Sequence, residues 1–429
     1  MGVPFTFVHA ADLHLDSPFK GLTKVPEAVR QRLRESTFEA LRRLGNVVKQ
    51  EGADFVVLAG DLYDAADRSL RAQLRLQRML ADWTAEGIGV FVVHGNHDPE
   101  SGRQAKLDWP AGVHVFGSAG SAAECVPAYR RSGELAAHVY GISYPTAAVT
   151  DNLAMRYRKQ EGAPFHLALL HANVDGDPAH DNYAPCRLAE LAAAGFDYWA
   201  LGHVHDRRVL HEYPHVVYPG NIQGRSVRET GEKGVYVVRV SEAGEVRLDF
   251  RGTSDVLWME KGVSIEGAER EQQLKDRLLE AAEEARHSAG GRPVVIRLRL
   301  EGRGVLHDAL LADSAAEQWL DELREWLGSP EERDDWVWPE SLSVRTAGAA
   351  NLRGLAAEEG FLGEFVRRGI RASEDPALGR ELTDEALDVF RSQPKIREWL
   401  SSRSDEDRAE LIRRAMELTA SMLRDEDAG

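Results

Sequence analysis

The first half of the chain alternates short apolar runs with longer segments in which apolar residues recur every three or four positions. Several short runs contain β-branched or aromatic residues, so they predict buried strands of an α/β sheet. The longer segments, such as Glu27–Gln50 and residues 68–86, carry Leu, Val and Met among charged residues and predict helices. The pattern therefore predicts a layered α/β sandwich. Its strands are expected at Phe5–Ala10, Phe55–Ala59 and residues 90–93, 139–142, 166–170 and 199–201.

The pattern changes after Gly202, where strand-like segments follow one another without intervening helices. Residues 216–218 precede two longer alternating runs, Gly234–Val240 and residues 246–250, which are joined by a turn that contains glycine. This order predicts an antiparallel hairpin that closes one edge of the sheet. We expect the first domain to end near Thr253.

The second half of the chain predicts two further regions. Residues 257–346 run strand, helix, strand, helix, strand, which is typical of a small α/β domain. The remainder looks helical throughout, and Thr383 and Ser404 are candidate N-caps because acidic residues follow them. The predicted organisation is one domain over residues 1–253, a small α/β domain over residues 254–346 and a helical region over residues 347–429.

Near the C-terminus, five apolar residues fall on one face of a predicted helix. They are Leu411, Ile412, Ala415, Leu418 and Met422. The simplest interpretation is that this stripe packs against neighbouring segments of the same chain. The alternative is that it binds a helix of a partner protein.

Composition narrows the class of protein. The chain has 429 residues, more than the about 250–300 that one hydrophobic core organises, so at least two domains are expected. Its two cysteines, Cys125 and Cys186, are not clustered, so we expect reduced thiols. No signal peptide is recognisable, and no apolar run approaches the roughly 18 residues that span a bilayer. A cytoplasmic protein without membrane association is therefore expected.

The most informative feature is that metal-ligand residue types follow almost every predicted strand of the first domain. They are Asp12 and His14, Asp61, Asn96 and His97, His171, and His203 and His205. Functional residues gather at the carboxyl ends of strands in α/β sheets, so these five loops are expected to converge. Taken singly, Gly-Asp and Gly-Asn pairs are usually turns, and Asp64, His94 and Asp98 could be turn or supporting residues. Five such strand ends are hard to explain as turns alone, and we interpret them as a metal site.

The residue types indicate which metal the site would hold. Carboxylates, an amide oxygen and imidazoles without any thiolate suit Mn²⁺, with Mg²⁺ or Fe²⁺ as alternatives, better than a structural Zn²⁺. Seven ligands are too many for one ion. Two ions about 3.5–4 Å apart, bridged by one carboxylate, would use them all and suit in-line displacement at phosphorus.

Together these motifs resemble the calcineurin-like metallophosphoesterases, and within them the SbcD- and YhaO-type DNA-repair nucleases. The resemblance covers about the first 250 residues, and the rest only in architecture. Asp16 stands where the SbcD branch usually carries Gly, so substrate preference is not carried over from that branch. The opening motif and the last one point to the YhaO branch. The motifs are HAADLHLDSPF at residues 9–19, GDLYD at 60–64, GNHD at 95–98, GHVH at 202–205 and YPGNIQGR at 218–225.

The resemblance implies a metallophosphoesterase four-layer α/β/β/α sandwich and assigns roles to the candidate residues. One ion would be held by Asp12, His14, Asp61 and His205. The other would be held by Asp61, Asn96, His171 and His203, so that Asp61 is the bridge. His97 would contact the scissile phosphate and protonate the leaving oxygen. The alternative for His97 is that it only orients Asp12 or Asp98.

The family implies a DNA exonuclease or endonuclease, the nuclease subunit of a DNA-repair complex with an SMC-like coiled-coil ATPase of the SbcC or YhaN kind. The small α/β domain would cap the active site, the helical end would dock the ATPase, and a homodimer is expected. One alternative is a phosphodiesterase or phosphatase acting on nucleotides or small molecules. Another is a binding or scaffold subunit whose metal site is vestigial.

Net charge is the property least favourable to a DNA substrate. The formal net charge is −17 at pH 7, whereas nucleic-acid binding rests largely on Lys and Arg. Arg225, Arg228 and Lys233 lie together in one loop and could meet the DNA backbone; ordinary solvent-exposed charge is the alternative. We therefore expect metals or a partner to supply much of the attraction for DNA.

Overall fold

The structure of the protein, a computed structural model, describes residues 2–17, 19, 25–64, 69–102, 107–348, 352–388 and 403–427. The chain divides into two compact units. Unit 1 comprises Met1–Met259, Ala285–Ile296 and Ser329–Glu340, and unit 2 comprises Glu260–Glu284, Arg297–Gly328 and Ser341–Gly429. The domain boundaries at residues 253 and 346 stay a prediction.

Six strands form the first sheet of unit 1. They are β1 (Phe5–Ala10), β2 (Phe55–Ala59), β3 (Gly89–Val93), β4 (Val113–Val115), β11 (Gly234–Val240) and β12 (Val246–Gly252). Their order is β12-β11-β1-β2-β3-β4. The strands from β1 to β4 are parallel, whereas β11 is antiparallel to both β1 and β12. The predicted hairpin is confirmed, and it closes the edge beside β1.

Six further strands form the second sheet of unit 1. They are β5 (Glu124–Tyr129), β6 (Leu135–Gly141), β7 (His166–His171), β8 (Tyr198–Gly202), β9 (Arg208–Glu212) and β10 (His215–Tyr218). Their order is β5-β6-β7-β8-β10-β9. The four inner strands are parallel and both edge strands are antiparallel. The apolar runs therefore predicted the inner strands of this sheet and missed its two edges.

Alternate residues of the strands face different cores. In β1, Phe7 packs into the core between the two sheets, and the next residue, Val8, packs into the core beneath α1 (Glu27–Gln50) and α2 (Leu70–Ala85). In β8, Tyr198 faces the core between the sheets and Trp199 faces a third core, beyond the second sheet. A 3-10 helix (Leu153–Arg156) and α3 (Leu188–Ala193) cover that outer core. The predicted α/β/β/α sandwich is confirmed. Neighbouring residues of a strand face different cores because successive side chains of a β-strand point to opposite faces of the sheet.

A three-stranded sheet follows in the order β13-β14-β15. Its strands are β13 (Leu257–Ser264), β14 (Val294–Arg303) and β15 (Val337–Ala347). The intervening helices are α4 (Glu271–Ser288), α5 (His307–Leu311) and α6 (Ala315–Leu327). The alternation of strands and helices in this region was predicted, except for the short α5.

Four helices make up the described part of the C-terminal region: α7 (Leu352–Ala356), α8 (Phe361–Glu374), α9 (Pro376–Ala386) and α10 (Asp405–Asp427). Ser404 caps α10 as predicted, since its hydroxyl accepts from the Asp407 amide at 3.1 Å. The prediction for Thr383 is wrong. Asp375 caps α9, and the Thr383 hydroxyl donates to the Gly379 carbonyl at 2.8 Å inside that helix. No helix in the described ranges is long and apolar enough to cross a membrane.

The apolar stripe predicted on the last helix is also wrong in part. Leu411, Ala415 and Leu418 are exposed, and the side chain of Met422 lies outside the described ones. The buried residues of α10 are Met416 and Ala420, which share a core with residues of α7 and α8. The packed face thus follows a spacing of four residues, and Leu411 and Leu418 lie outside it. An amphipathic pattern predicts a broad apolar stripe but does not determine which part of the stripe is buried.

Candidate metal centre

The side chains that the motifs singled out lie together at the carboxyl ends of strands in both sheets of unit 1. β1 leads to Asp12 and His14, β2 to Asp61, β3 to Asn96 and His97, β7 ends at His171, and β8 leads to His203 and His205. Asp12, His14, Asp61, His171 and His203 are buried, Asn96 and His205 are half-buried, and His97 is exposed. The two sheets therefore bring residues as far apart in the sequence as Asp12 and His205 to one place.

One group of donors consists of Asp12, His14 and His205. Their ligand atoms all lie within 4.8 Å of one another. Nε2 of His14 is 3.2 Å from Nε2 of His205. If both nitrogens carry lone pairs they gain nothing from facing each other, and the approach then suits two ligands of one shared cation.

A second group lies around Asn96. Its Oδ1 is 3.0 Å from Nε2 of His171 and 3.2 Å from Nδ1 of His203. Ligand atoms of Asp12, Asp61 and His171 also lie within 4.8 Å of one another. Oxygen and nitrogen donors alternate here as they would around a hard or borderline divalent ion.

Asp61 lies between the two groups. Its Oδ2 is 3.7 Å from Nε2 of His14 and 3.4 Å from Nε2 of His171. Its other oxygen accepts a hydrogen bond from the backbone amide of His97 at 2.8 Å. One oxygen is thus fixed by the loop after β3, and the other faces a histidine of each group.

Each of the four candidate ligand histidines turns one nitrogen inward and holds the other on an acceptor. The acceptors are the Ala59 carbonyl for His171 (2.9 Å), the Asp181 carbonyl for His203 (2.7 Å), the Asp64 carboxylate for His14 (3.0 Å) and the Glu229 carboxylate for His205 (2.8 Å). Such a partner keeps the proton on the outer nitrogen and the lone pair on the inner one, as in most protein metal sites. The site is therefore preorganised for metal ligation.

Two glycines are required because ligands approach the backbone closely. A Cβ at Gly95 would overlap the Asp61 carboxylate and lie 2.8 Å from Nε2 of His171. A Cβ at Gly202 would overlap the Ala59 carbonyl and lie 2.9 Å from Nδ1 of His171. The Gly-Asn and Gly-His pairs of the motifs are thus explained by space around the site.

The backbone at the site is strained. Asp12, His14, Asp61 and His203 have φ angles of 52°, 42°, 53° and 101°. Positive φ is uncommon for residues other than glycine and costs on the order of 1–3 kcal/mol each where the conformation is sparsely populated. These conformations turn consecutive side chains of short loops toward one point.

Burial and charge set the protonation of the donors. Burial lowers the pKa of His14 to about 3 and that of His203 to about 3, so both rings are neutral ligands at neutral pH. Burial also lowers the pKa of His171, but the Asp61 carboxylate outweighs it and the pKa stands at about 9. Burial raises the pKa of Asp12 to about 6. A divalent cation bound here would offset the charge of Asp61 and so favour the neutral, ligating form of His171.

His97 pairs with Asp64 rather than joining either group of donors. Its Nδ1 is 2.8 Å from Asp64 Oδ1, and its side chain is 42% exposed. Burial lowers the pKa of His97, but the hydrogen bond with Asp64 raises it above its ordinary value. His97 is therefore an accessible imidazole at the rim of the site, and Asp64 favours its protonated form.

Asp98 has a supporting role, one of the interpretations open from the sequence. Its carboxylate accepts hydrogen bonds from the amides of Gly95 (2.7 Å), Asp61 (3.1 Å) and Leu62 (3.0 Å). It also contacts Nδ1 of His94 at 3.2 Å. Asp98 thus holds the loops after β2 and β3 together.

Sequence reasoning missed three residues that support the site: Ser17 lies within the opening motif but was given no role, and Glu229 and His180 lie outside the motifs. Glu229 holds His205, and Ser17 donates to Asp64 at 2.7 Å. His180 lies beside the site, with its Nε2 3.4 Å from the backbone nitrogen of His205. None of the three follows a predicted strand directly, so the pattern that located the ligands carried no signal for them.

The donor set fits a pair of divalent ions. Seven oxygen and nitrogen donors in two groups, with Asp61 between them and no thiolate nearby, match the chemistry of a dinuclear site for hard or borderline ions. An α/β/β/α sandwich that carries such a centre defines a metal-dependent phosphoesterase.

The chain belongs to the calcineurin-like phosphoesterase family, which it matches over residues 5–207. Residues 258–347 match the middle domain of the metallophosphoesterase YhaO. The chain is 41% identical over 368 residues to the uncharacterized metallophosphoesterase YhaO of Bacillus subtilis (strain 168), which covers 85% of this chain and 87% of that protein. The predicted family resemblance is confirmed, and the protein is a phosphoester hydrolase by class.

More distant relatives carry the name DNA double-strand break repair protein Mre11. The Mre11 of Methanopyrus kandleri is 23% identical over 413 residues, 86% of this chain and 84% of that protein. The Mre11 of Thermoplasma acidophilum is 27% identical over 227 residues, 49% of this chain and 57% of that protein. The first of these similarities extends well beyond the phosphoesterase domain.

Proposed function

We propose that the protein is a metal-dependent DNA nuclease that hydrolyses phosphodiester bonds by a two-metal mechanism. It acts as the nuclease subunit of a cytoplasmic DNA-repair complex, as a homodimer and together with an SMC-like coiled-coil ATPase. The observation that carries the chemistry is the convergence of seven donors with every candidate ligand imidazole held from outside. The Mre11 relatives support DNA as the substrate.

The proposed ligands divide into two sets. Asp12, His14, Asp61 and His205 would hold one ion, and Asp61, Asn96, His171 and His203 would hold the other. The Asp61 oxygen that faces both His14 and His171 supports its place as the bridge. Mn²⁺ suits these donors, with Mg²⁺ or Fe²⁺ as alternatives. When bound, such ions neutralise charge on the phosphate oxygens and lower the pKa of attacking water.

His97 is the proposed general acid. Its Nδ1 hydrogen bonds to Asp64, and within the described residues its Nε2 has no partner. The raised pKa favours the protonated ring. The Nε2 proton is then available for the leaving oxygen of the scissile phosphodiester, a role that contributes typically 10²–10⁴-fold to a rate. Asp64 fixes the ring and stabilises its charge.

The net charge favours a second candidate, a phosphodiesterase or phosphatase that acts on nucleotides or small molecules. At −17, the chain repels a DNA duplex at long range unless metals or a partner offset the charge. A small substrate carries far less charge and would be repelled less. The same metal centre would serve either substrate.

Two hydrolysis assays separate the candidates. One uses DNA and the other uses bis(4-nitrophenyl) phosphate. Each is run with Mn²⁺, in the presence and in the absence of a coiled-coil ATPase encoded beside this chain. DNA cleavage supports the nuclease. Hydrolysis of the small diester with no DNA cleavage under any condition would refute it in favour of the second candidate. Asp61→Ala should abolish both activities while the melting temperature without metal stays within a few degrees. The matched control is Asp151→Ala, which removes the same charge at an exposed position of unit 1.

A further inference from the structure

The loop between β10 and β11 is fixed against the sandwich by buried hydrogen bonds. We call residues 220–232 the Arg225 loop. Gln223 Nε2 donates to the Val256 carbonyl at 2.7 Å, and Trp258 Nε1 donates to the Gly224 carbonyl at 2.8 Å. Gln223, Gly224 and Trp258 are buried. The backbone just before Arg225 is therefore held in one place.

Glu229 ties the same loop to a candidate metal ligand. Its Oε1 is 2.8 Å from Nδ1 of His205, and its Oε2 accepts from the Arg225 amide at 2.7 Å and from Asn221 Nδ2 at 2.8 Å. Burial raises the pKa of Glu229, but the bond with His205 outweighs it and keeps that pKa well below its usual range. One carboxylate thus positions both His205 and the backbone of Arg225.

The Arg225 side chain is mostly buried and keeps most of its donors unused. It is 17% exposed, and its ion pair with Glu229 is a long one, 3.8 Å from Nη2 to Oε1. Its Nε is buried and has no hydrogen-bond partner in the described ranges. A buried guanidinium without full pairing is costly, and such groups are retained where an anion binds. The guanidinium lies beside the carboxylate that holds His205, so the unpaired charge is next to a candidate ligand.

The neighbouring cations Arg228 and Lys233 differ from Arg225. Lys233 is buried, but its amine already donates to the His205 carbonyl at 3.2 Å and to Asp206 Oδ1 at 3.0 Å. Arg228 is exposed. Arg225 therefore combines burial, a contact with the carboxylate that holds His205, and a donor without a partner in the described ranges, which neither neighbour does.

We propose that Arg225 is a substrate-binding residue that donates to a non-bridging oxygen of the scissile phosphate, and that Glu229 positions it together with His205. This inference rests on phosphodiester hydrolysis at the proposed site but not on DNA being the substrate. A planar guanidinium suits a phosphate because two parallel N–H groups can meet two oxygens. Arg225 would place a fixed positive charge beside the phosphate. This charge comes from the protein itself and adds to the charge that the ions supply.

The test uses inorganic phosphate as the probe and the Mn²⁺-loaded full chain. We compare wild type, Arg225→Gln and the control Arg228→Gln, which makes the same change three residues away at an exposed position. Titration calorimetry measures Mn²⁺ affinity first and phosphate affinity second. Loss of a charge-assisted hydrogen bond should weaken phosphate binding by about 10- to 100-fold in Arg225→Gln, with Mn²⁺ affinity unchanged. Arg228→Gln should match wild type in both titrations.

Steady-state hydrolysis of bis(4-nitrophenyl) phosphate gives a second measure. Arg225→Gln should lower kcat/KM by a similar factor, and Arg225→Lys should restore only part of it because a lysine cannot make the bidentate contact. Three results would each overturn the proposal. The first is that Arg225→Gln binds phosphate with wild-type affinity, and the second is that Arg228→Gln loses as much phosphate affinity as Arg225→Gln. The third is that the Mn²⁺-loaded wild type does not bind phosphate. Lack of DNA cleavage would not, since it bears on the proposed nuclease function alone.

Glu229→Gln tests the positioning residue. It preserves the shape of the side chain but removes the charge that holds His205, so Mn²⁺ affinity should fall about 10- to 100-fold together with phosphate affinity. A purely structural role would instead lower the melting temperature of the metal-free protein and leave Mn²⁺ affinity of the folded fraction unchanged. That result would remove Glu229 from the proposal.

Discussion

Gly95→Ala is a severe test of the site geometry because the added methyl group meets the buried side chains of two candidate ligands. The new Cβ would overlap the Asp61 carboxylate and lie 2.8 Å from both Cε1 and Nε2 of His171. Asp61 and His171 are buried, and Asp61 also accepts the His97 amide. Neither neighbour is the free end of a flexible side chain, so the candidate bridge and a candidate ligand must move.

The size of the effect follows from the cost of overpacking. Forcing one extra methyl group into a well-packed region costs about 1–3 kcal/mol. The metal-free protein can relax by shifting Asp61 away from its present position, whereas a metal-loaded site cannot. The cost therefore falls on metal binding, and about 1–3 kcal/mol corresponds to a loss of roughly 5- to 150-fold in Mn²⁺ affinity.

Titration calorimetry with Mn²⁺ is the assay, and Gly89→Ala is the matched control. Gly89 begins β3, the strand that leads to Gly95, and a Cβ there would make only ordinary contacts at 3.7 Å or more. The control should bind Mn²⁺ like wild type. If Gly95→Ala also binds Mn²⁺ with wild-type affinity, then Asp61 and His171 are not both ligands and the assignment of the site is wrong.

Three further predictions address the acid, the metal and the C-terminal helices. Asp64→Asn should lower kcat for bis(4-nitrophenyl) phosphate by about 10- to 100-fold, since it weakens a charge-assisted bond to His97; an unchanged kcat would remove His97 as the acid. The free energy of unfolding, measured by urea titration, should be about 2.7 kcal/mol higher for one site with Mn²⁺ at 100 times its Kd than after a chelator removes the Mn²⁺, and Asp61→Ala should show no such difference. Met416→Ala should destabilise unit 2 by about 2–5 kcal/mol, whereas the exposed Leu418→Ala should stay within about 0.5 kcal/mol in the same titration; equal effects would contradict the packing of α10.

The inner strands and the ligands could be predicted from the sequence because both follow from local patterns. Buried parallel strands are short apolar runs, and the residue after such a run lies at the edge where functional groups collect. Asp12, Asp61 and His171 each directly follow or end a run of this kind. What the pattern could not reveal is that His171 belongs to a different sheet from Asp61, since pairing between strands is not local.

The missed strands lie at edges and have the composition that edges require. β5 contains Pro127, and β9 begins with Arg208 and ends with Glu212. Proline and charge protect an edge strand from pairing with other chains, and they also remove the apolar alternation by which strands are recognised. The sequence pattern therefore missed three of the four edge strands of these two sheets, β4, β5 and β9, and found only β12, which the hairpin turn marks.

The partners of the ligands were unpredictable for a further reason. Glu229 is 24 residues from His205 and follows no strand. Its role depends on the exact path of the Arg225 loop, which Gln223 and Trp258 fix through contacts that are visible only in three dimensions. A motif describes what one loop offers to the site, whereas the outer hydrogen bonds depend on how different loops pack together.

The strain at the site also bears on whether it is vestigial. Asp12, His14, Asp61 and His203 all hold positive φ, at on the order of 1–3 kcal/mol each where such conformations are sparsely populated. Globular proteins are stable by only about 5–15 kcal/mol in total, so four such residues are a considerable cost. A scaffold that no longer bound metal would gain stability from almost any substitution that relaxed these loops. The full donor set, the glycines that make room for it and the carboxylates behind it are instead all present, which argues for a site in use.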